Sequence, residues 1–176
     1  MADQGGPLDR YYEDFAVGQV FRFPLGRTIT EVDNTWFTLL TMNTNQIHFN
    51  TDVAARSEFG RPLVNSGFSL ALVVGMSVTD LSANATANLG WTDIELTHPL
   101  YVGDTVYVES AVTGVRPSKS RPGDGIVSVL TRGLNQDGVE FLRFRRSFLI
   151  PGRAHRINRF PTPQRPLLPP QDGSDG

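Results

Sequence analysis

The chain predicts an α+β fold in which one long central helix is wrapped by a curved antiparallel sheet. Two observations carry this. From Pro62 to Thr79 eighteen residues pass without a charge. Beyond Asp80 the pattern changes to segments rich in β-branched and aromatic residues, separated by Gly- and Asn-bearing turns. A buried helix followed by a meander of strands finds its core by laying the helix on the sheet. With 176 residues and 39% hydrophobic composition, the chain is long and apolar enough for one domain with a single core.

Residues 1–10 are small and polar and are expected to be mobile. Tyr11 to Phe15 supplies aromatics that can dock on a core, and Gly18 marks a turn before a strand at Val20–Phe23. Thr30 followed by Glu31 and Asp33 is a helix start, a hydroxyl cap with acids in the first turn. Trp36, Phe37, Leu39 and Leu40 give that helix an apolar face up to about Met42. The stretch 43–50 holds three Asn and predicts a loop, and Asp52 can cap a short helix over 53–58 that Gly60 and Pro62 end.

The uncharged run 62–79 meets the roughly 18-residue minimum for a membrane span. Asn65, Ser66, Ser69 and Ser77 interrupt it and no basic cluster flanks it, so it predicts a helix buried on most sides of a soluble protein. Gly67, Ala71 and Gly75 would let a sheet approach closely. Strands follow at Thr86–Leu96, Thr105–Val112, Gly125–Thr131 and Val139–Ile150, with turns at Pro99, Gly103-Asp104 and Asn135-Gln-Asp-Gly138. The body of the fold is thus 11–150. From Pro151 the composition turns to Arg and Pro, with five Pro among residues 161–170, so 151–176 is expected to be an extended or disordered arm dispensable for chemistry.

Composition excludes several functions. The net charge is −2 and no aromatic-interleaved basic stripe occurs, so nothing points to nucleic acid. Cysteine is absent, which removes disulfides, thiolate nucleophiles and Cys-ligated metals. The first residues lack a basic and an apolar segment, so no secretory signal is expected and the cytoplasm is the default location.

His48 is the residue best suited to chemistry. A neutral imidazole titrates near physiological pH and can take a proton from water. It lies in the amide-rich Asn43-Thr-Asn-Gln-Ile-His48, a few residues before the apolar run, where a pocket would form. Taken alone it could equally be a satisfied loop histidine. A second feature is Val115-Arg-Pro-Ser-Lys-Ser-Arg-Pro122, in which Lys119, the single Lys of the chain, stands between Arg116 and Arg121. Three cations on a Pro-bounded turn suit a phosphate, or form a solvated hairpin tip.

Helix, polar His loop, buried helix and β meander together resemble the MaoC-like hydratases and dehydratases of the hotdog fold, from about Tyr11 to Ile150. Glu13-Asp-Phe-Ala-Val-Gly18, Phe59-Gly-Arg-Pro62 and Val102-Gly-Asp-Thr105 resemble family segments in the same order. The family motif Asp-x-Asn-Pro-x-His ends on His48, with Asn43 at its Asp, Asn45 at its Asn and Gln46 at its Pro. The resemblance implies that His48 and Asn43 hold a water for addition to an enoyl thioester, although Asn43 cannot accept a proton. Asp52, the nearest acid, reads better as a helix cap.

Where the family has His-Gly-Met, this chain has Asn65-Ser66-Gly67, which assigns the N–H of Ser66, with Gly67 in reserve, to the thioester oxygen. Asn65 and Ser66 could also simply cap the helix. The loops look closest to the mesaconyl- and itaconyl-CoA hydratase branch, so a short branched dicarboxylyl 2-enoyl-CoA is the implied substrate. Arg61 or Arg27 is the candidate for its extra carboxylate, Asn45 and Asn65 line the acyl site, and Arg116, Lys119 and Arg121 take the CoA phosphates. The product is a 3-hydroxyacyl-CoA. No metal or redox cofactor is implied, CoA enters with the substrate, and a homodimer is expected because a lone sheet leaves an open edge. A hotdog thioesterase and a non-catalytic thioester-binding subunit are the alternatives. The former is disfavoured because 62–79 contains no acid.

Overall fold

The computed structural model describes residues 9–157 and 164–165. Five antiparallel strands form one sheet: β1 (Val20–Thr28), β2 (Ala87–Leu96), β3 (Thr105–Pro117), β4 (Gly125–Leu134) and β5 (Glu140–Ile150), in the order β1-β3-β4-β5-β2. The helices α1 (Glu31–Leu40), α2 (Thr51–Ala55), α3 (Ser66–Met76) and α4 (Val78–Leu81) all precede β2. The expected strands are all present, and β1, β3 and β4 run longer than their apolar cores suggested. The hairpin between β4 and β5 closes through Asn135 N–H to Val139 O at 3.0 Å, with Gly138 at φ 76°, a conformation that favours glycine.

Alternation on the strands decides which face meets the helices. Val106 and Val112 of β3, Val127 and Val129 of β4, and Phe141, Phe144 and Phe148 of β5 are almost fully buried. Each buried Phe contributes about 2–3 kcal/mol relative to exposure. Against this face α3 sets Ser69, Val73 and Ser77, four residues apart and buried.

The helix comes close because the sheet carries a glycine. A Cβ on Gly133 would lie 2.5 Å from the Phe141 ring and 2.9 Å from a Val73 methyl. This corrects the expectation for Gly67, Ala71 and Gly75, which lie on the outer, exposed face of α3. The helix is therefore covered on its inner side and open on the other, not buried on most sides. It also stops at Ser77, where a second short helix begins.

The caps match the sequence with one change. Thr30 Oγ1 accepts the Asp33 N–H while the Asp33 carboxylate accepts the Thr30 N–H at 2.8 Å. The cap of α2 is Asn50, not Asp52: Asn50 Oδ1 accepts the N–H groups of Asp52 and Val53, and the exposed Asp52 pairs with Arg56 one turn on.

A second correction concerns α1. Trp36, Leu39, Leu40 and Met42 are exposed, and the residues it buries are the polar Asn34 and Thr38. Phe37 alone of the expected apolar face packs inward, against Phe68 at 5.4 Å between ring centroids.

Residues 1–8 and most of the Arg/Pro arm lie outside the described residues. Where the arm is described it is fastened to the body: Gly152 N–H and His155 meet Asp124, Arg153 N–H meets the Glu13 carboxylate, and Arg156 pairs with Asp9. Among the described residues the edge strand β2 has no neighbour on its outer side, and Leu89, Trp91, Ile94 and Leu96 are about half exposed. Among the described residues no helix is long and apolar enough to cross a membrane.

Candidate active site

The loop 43–50 folds by its own amides. Asn43 Oδ1 accepts the Asn45 N–H at 2.9 Å, and Asn45 Oδ1 caps the 3-10 turn Gln46–His48 through the Ile47 N–H. That turn delivers His48, whose Nδ1 stands 3.1 Å from the carbonyl oxygen of Leu63. A carbonyl can only accept, so in the neutral ring Nδ1 carries the proton and Nε2 is left as a base.

His48 lines a cavity of about 370 Å³ together with Phe59, Leu63, Ser66, Leu96 and Phe141. It opens at the N-terminus of α3, between the His loop and the end of β2. No Asp, Glu, Lys or Arg is among its lining residues; His98 is the second titratable group there. The walls are largely apolar, which suits an acyl group and strengthens any dipole aimed inside.

The two N–H donors expected at the start of α3 are not equivalent. Gly67 N–H donates to the side chain of its own cap, Asn65 Oδ1, at 2.8 Å. Ser66 lines the cavity, and its N–H has no hydrogen-bond partner among the described residues. Asn65 is buried at 4% exposure and serves as a cap, its Nδ2 donating to Thr38 Oγ1.

Other expected residues lie apart. Asn43 and Asn45 do not line the cavity, and the Oδ1 of each is already used within the loop. Arg61 stacks on the Tyr101 ring, its guanidinium carbon 3.8 Å from the centroid, and Arg27 pairs with Asp33. Neither lines the cavity. Arg116, Lys119 and Arg121 are exposed where β3 turns into β4. The cavity adjoins Leu96 to Leu100, at the other end of β3, so one chain holds its imidazole and its cationic turn at opposite ends of the sheet.

The residue sequence reasoning missed is Asn34. It is 1% exposed, and its Nδ2 donates to His48 O at 2.7 Å and to Leu63 O at 2.9 Å, while its Oδ1 accepts the Asn65 N–H at 2.8 Å. No signal within α1 marked it, because its partners lie on other segments of the chain.

The sheet with a central helix laid across it defines the class. A Mycobacterium tuberculosis protein described as a double hotdog fold superposes with a TM-score of 0.76 over 86% of this chain and 47% of its own, at 21% identity. The hotdog fold expected from the sequence is therefore the fold observed. The family model for mesaconyl-CoA hydratase matches residues 6–158, and the chain belongs to that family.

The mesaconyl-CoA hydratase of Cereibacter sphaeroides is 30% identical over 165 residues, 94% of this chain and 47% of that protein. A putative MaoC-domain dehydratase from Chloroflexus aurantiacus superposes with a TM-score of 0.77 at 31% identity, covering 91% of this chain and 45% of the other. The chain spans about half the length of these relatives.

Proposed function

We propose that the protein is a hydro-lyase that adds water reversibly across the double bond of a short 2-enoyl-CoA of the mesaconyl- or itaconyl-CoA type. The observation that carries this is His48, its Nδ1 fixed on Leu63 O, in one cavity with the N–H of Ser66 at a helix N-terminus, unpartnered among the described residues. Nε2 takes a proton from water and the hydroxide oxygen bonds to the β-carbon. The π electrons move through the α-carbon onto the thioester oxygen, where the Ser66 N–H and the positive end of α3 meet the developing charge. The imidazolium then returns its proton to the α-carbon, and dehydration is the reverse. Asn43 supports the reaction through the loop: its Oδ1 accepts the Asn45 N–H and so helps to fold the turn that delivers His48. CoA arrives with the substrate, and no step calls for another cofactor.

The working unit we propose is a homodimer paired through β2. The exposed apolar row on that edge supports it, and so do the positions of the site's parts. Two antiparallel β2 edges would set the Arg116, Lys119 and Arg121 turn of one copy toward the cavity end of the other, to receive the CoA phosphates.

The test is to incubate the pure protein with crotonyl-, mesaconyl- and itaconyl-CoA, following enoyl absorbance and free thiol. Loss of absorbance that His48→Ala reduces about 10²- to 10⁴-fold supports the reading. Thiol release would indicate hydrolysis instead, and no turnover a binding subunit. Light scattering that finds a monomer fully active at nanomolar concentration would overturn the dimer.

A further inference from the structure

We infer that Asn34 is a positioning residue of this site: its one carboxamide fixes the His48 loop, the carbonyl that orients the His48 ring, and the cap of the oxyanion helix at once. The inference rests on the reading of His48 as the base and Ser66 as the oxyanion donor. It assigns a role to a buried amide that does not line the cavity.

The geometry closes on a single atom, the Leu63 carbonyl oxygen. His48 Nδ1 lies 3.1 Å from it and Asn34 Nδ2 lies 2.9 Å from it. A carbonyl has two acceptor sites, so both donors fit together. By holding that oxygen, Asn34 holds the group that selects the His48 tautomer. Its second N–H reaches the His48 main-chain oxygen at 2.7 Å, which fixes the height of the loop on α1. Its Oδ1 takes the Asn65 N–H at 2.8 Å, and Asn65 caps the helix whose next residue is Ser66.

Base and oxyanion donor come from different segments, and their separation is set through α1. Thr38, one turn further along the same buried face, repeats the arrangement: its Oγ1 accepts from Asn65 Nδ2 and its carbonyl accepts the Asn43 N–H at 3.0 Å. Aspartate at position 34 would keep the acceptor but lose both donations.

The experiment uses Asn34→Asp and Asn34→Ala in the full chain, with ring ¹⁵N NMR of His48 as the readout that needs no turnover. The wild type is expected to show one neutral tautomer, protonated at Nδ1. Asn34→Asp should show mixed tautomers, because the Leu63 carbonyl loses the donor that holds it against the ring.

Asn34→Ala is expected to lower kcat about a hundredfold with KM little changed, as displacement of a positioned group by about an ångström does. In a His48→Ala background it should cost almost nothing further, because the two act as a unit. An unchanged tautomer in Asn34→Asp would overturn the inference, as would full additivity with His48→Ala. If the wild type hydrates no enoyl-CoA, the proposed reaction fails, and the NMR result still decides whether Asn34 positions the ring. Should Asn34→Ala not fold, the isosteric Asp variant decides alone.

Discussion

Ser66→Pro separates the backbone of α3 from its side chains. Ser66 is the first residue of the helix, and its N–H makes no bond within the described chain. Proline is well tolerated at this position, where the missing N–H is unused and the fixed φ suits a helix. The residue before it must be extended, and Asn65 already holds φ −60° and ψ 129°. The substitution should therefore leave the fold intact and remove one donor from the cavity.

Loss of one oxyanion donor lowers kcat on the order of 10²- to 10³-fold, about 3–4 kcal/mol in the transition state. Ser66→Ala, which keeps the N–H, should stay within a few fold of wild type. The assay is initial-rate hydration with melting temperature and dimer content measured on the same samples. A folded Ser66→Pro protein with wild-type kcat would refute the oxyanion assignment.

Three further outcomes follow from packing and charge. Gly133→Ala puts a methyl 2.5 Å from the Phe141 ring, and the overpacking should cost about 1–3 kcal/mol, read by urea denaturation. Arg146 is 4% exposed and burial pulls its pKa down to about 10; its Nε has no partner in the described structure, although Ser77 and Ser82 accept from Nη2. Because the folded pKa is lowered for a base, the unfolded chain binds the extra proton above about pH 10, and stability should rise with pH there.

At neutral pH the buried charge is a standing penalty of at most about 3 kcal/mol, so Arg146→Met should be as stable as wild type or more so by up to about 2 kcal/mol; a loss above about 1 kcal/mol would count against this. Asp124 is the opposite case: its hydrogen bond to His155, with the Gly152 N–H adding to it, holds its carboxyl below the usual carboxylate range. Its contribution is full above that range and is lost as pH falls through the lowered value. Asp124→Asn should melt below wild type at pH 7, and the gap should close in acid.

The elements legible in the sequence were those set by neighbours along the chain. Thr30 caps a helix because Asp33 is three residues away, Asn135 turns a hairpin because Gly138 follows, and the Asn43-to-His48 loop is folded by its own amides. The inner face of α1 was misread because its logic is non-local. Asn34 and Thr38 look like interruptions of an apolar stripe, yet their partners are 14, 29, 31 and 27 residues away. Nothing within α1 reveals that it packs its polar side inward and turns Trp36 and Leu40 out.

The same limit applies to the site. The motif register pointed to His48 and Ser66, and the structure brings both to one cavity. That Gly67 would be occupied by its own cap, or that Arg61 would lie on Tyr101, depends on side-chain directions that spacing does not carry.

Placing the imidazole cavity at one end of the sheet and the cationic turn at the other has a consequence for how such chains can change over time. In the proposed two-fold pair each polypeptide would supply two different half-sites, so every substitution would be felt twice and neither half could be spared. If two copies were joined in a single polypeptide, one complete site would need the cavity of one copy and the turn of the other. The remaining cavity and turn would be released from that constraint, free to decay, to serve as pure scaffold, or to take on a different acyl group.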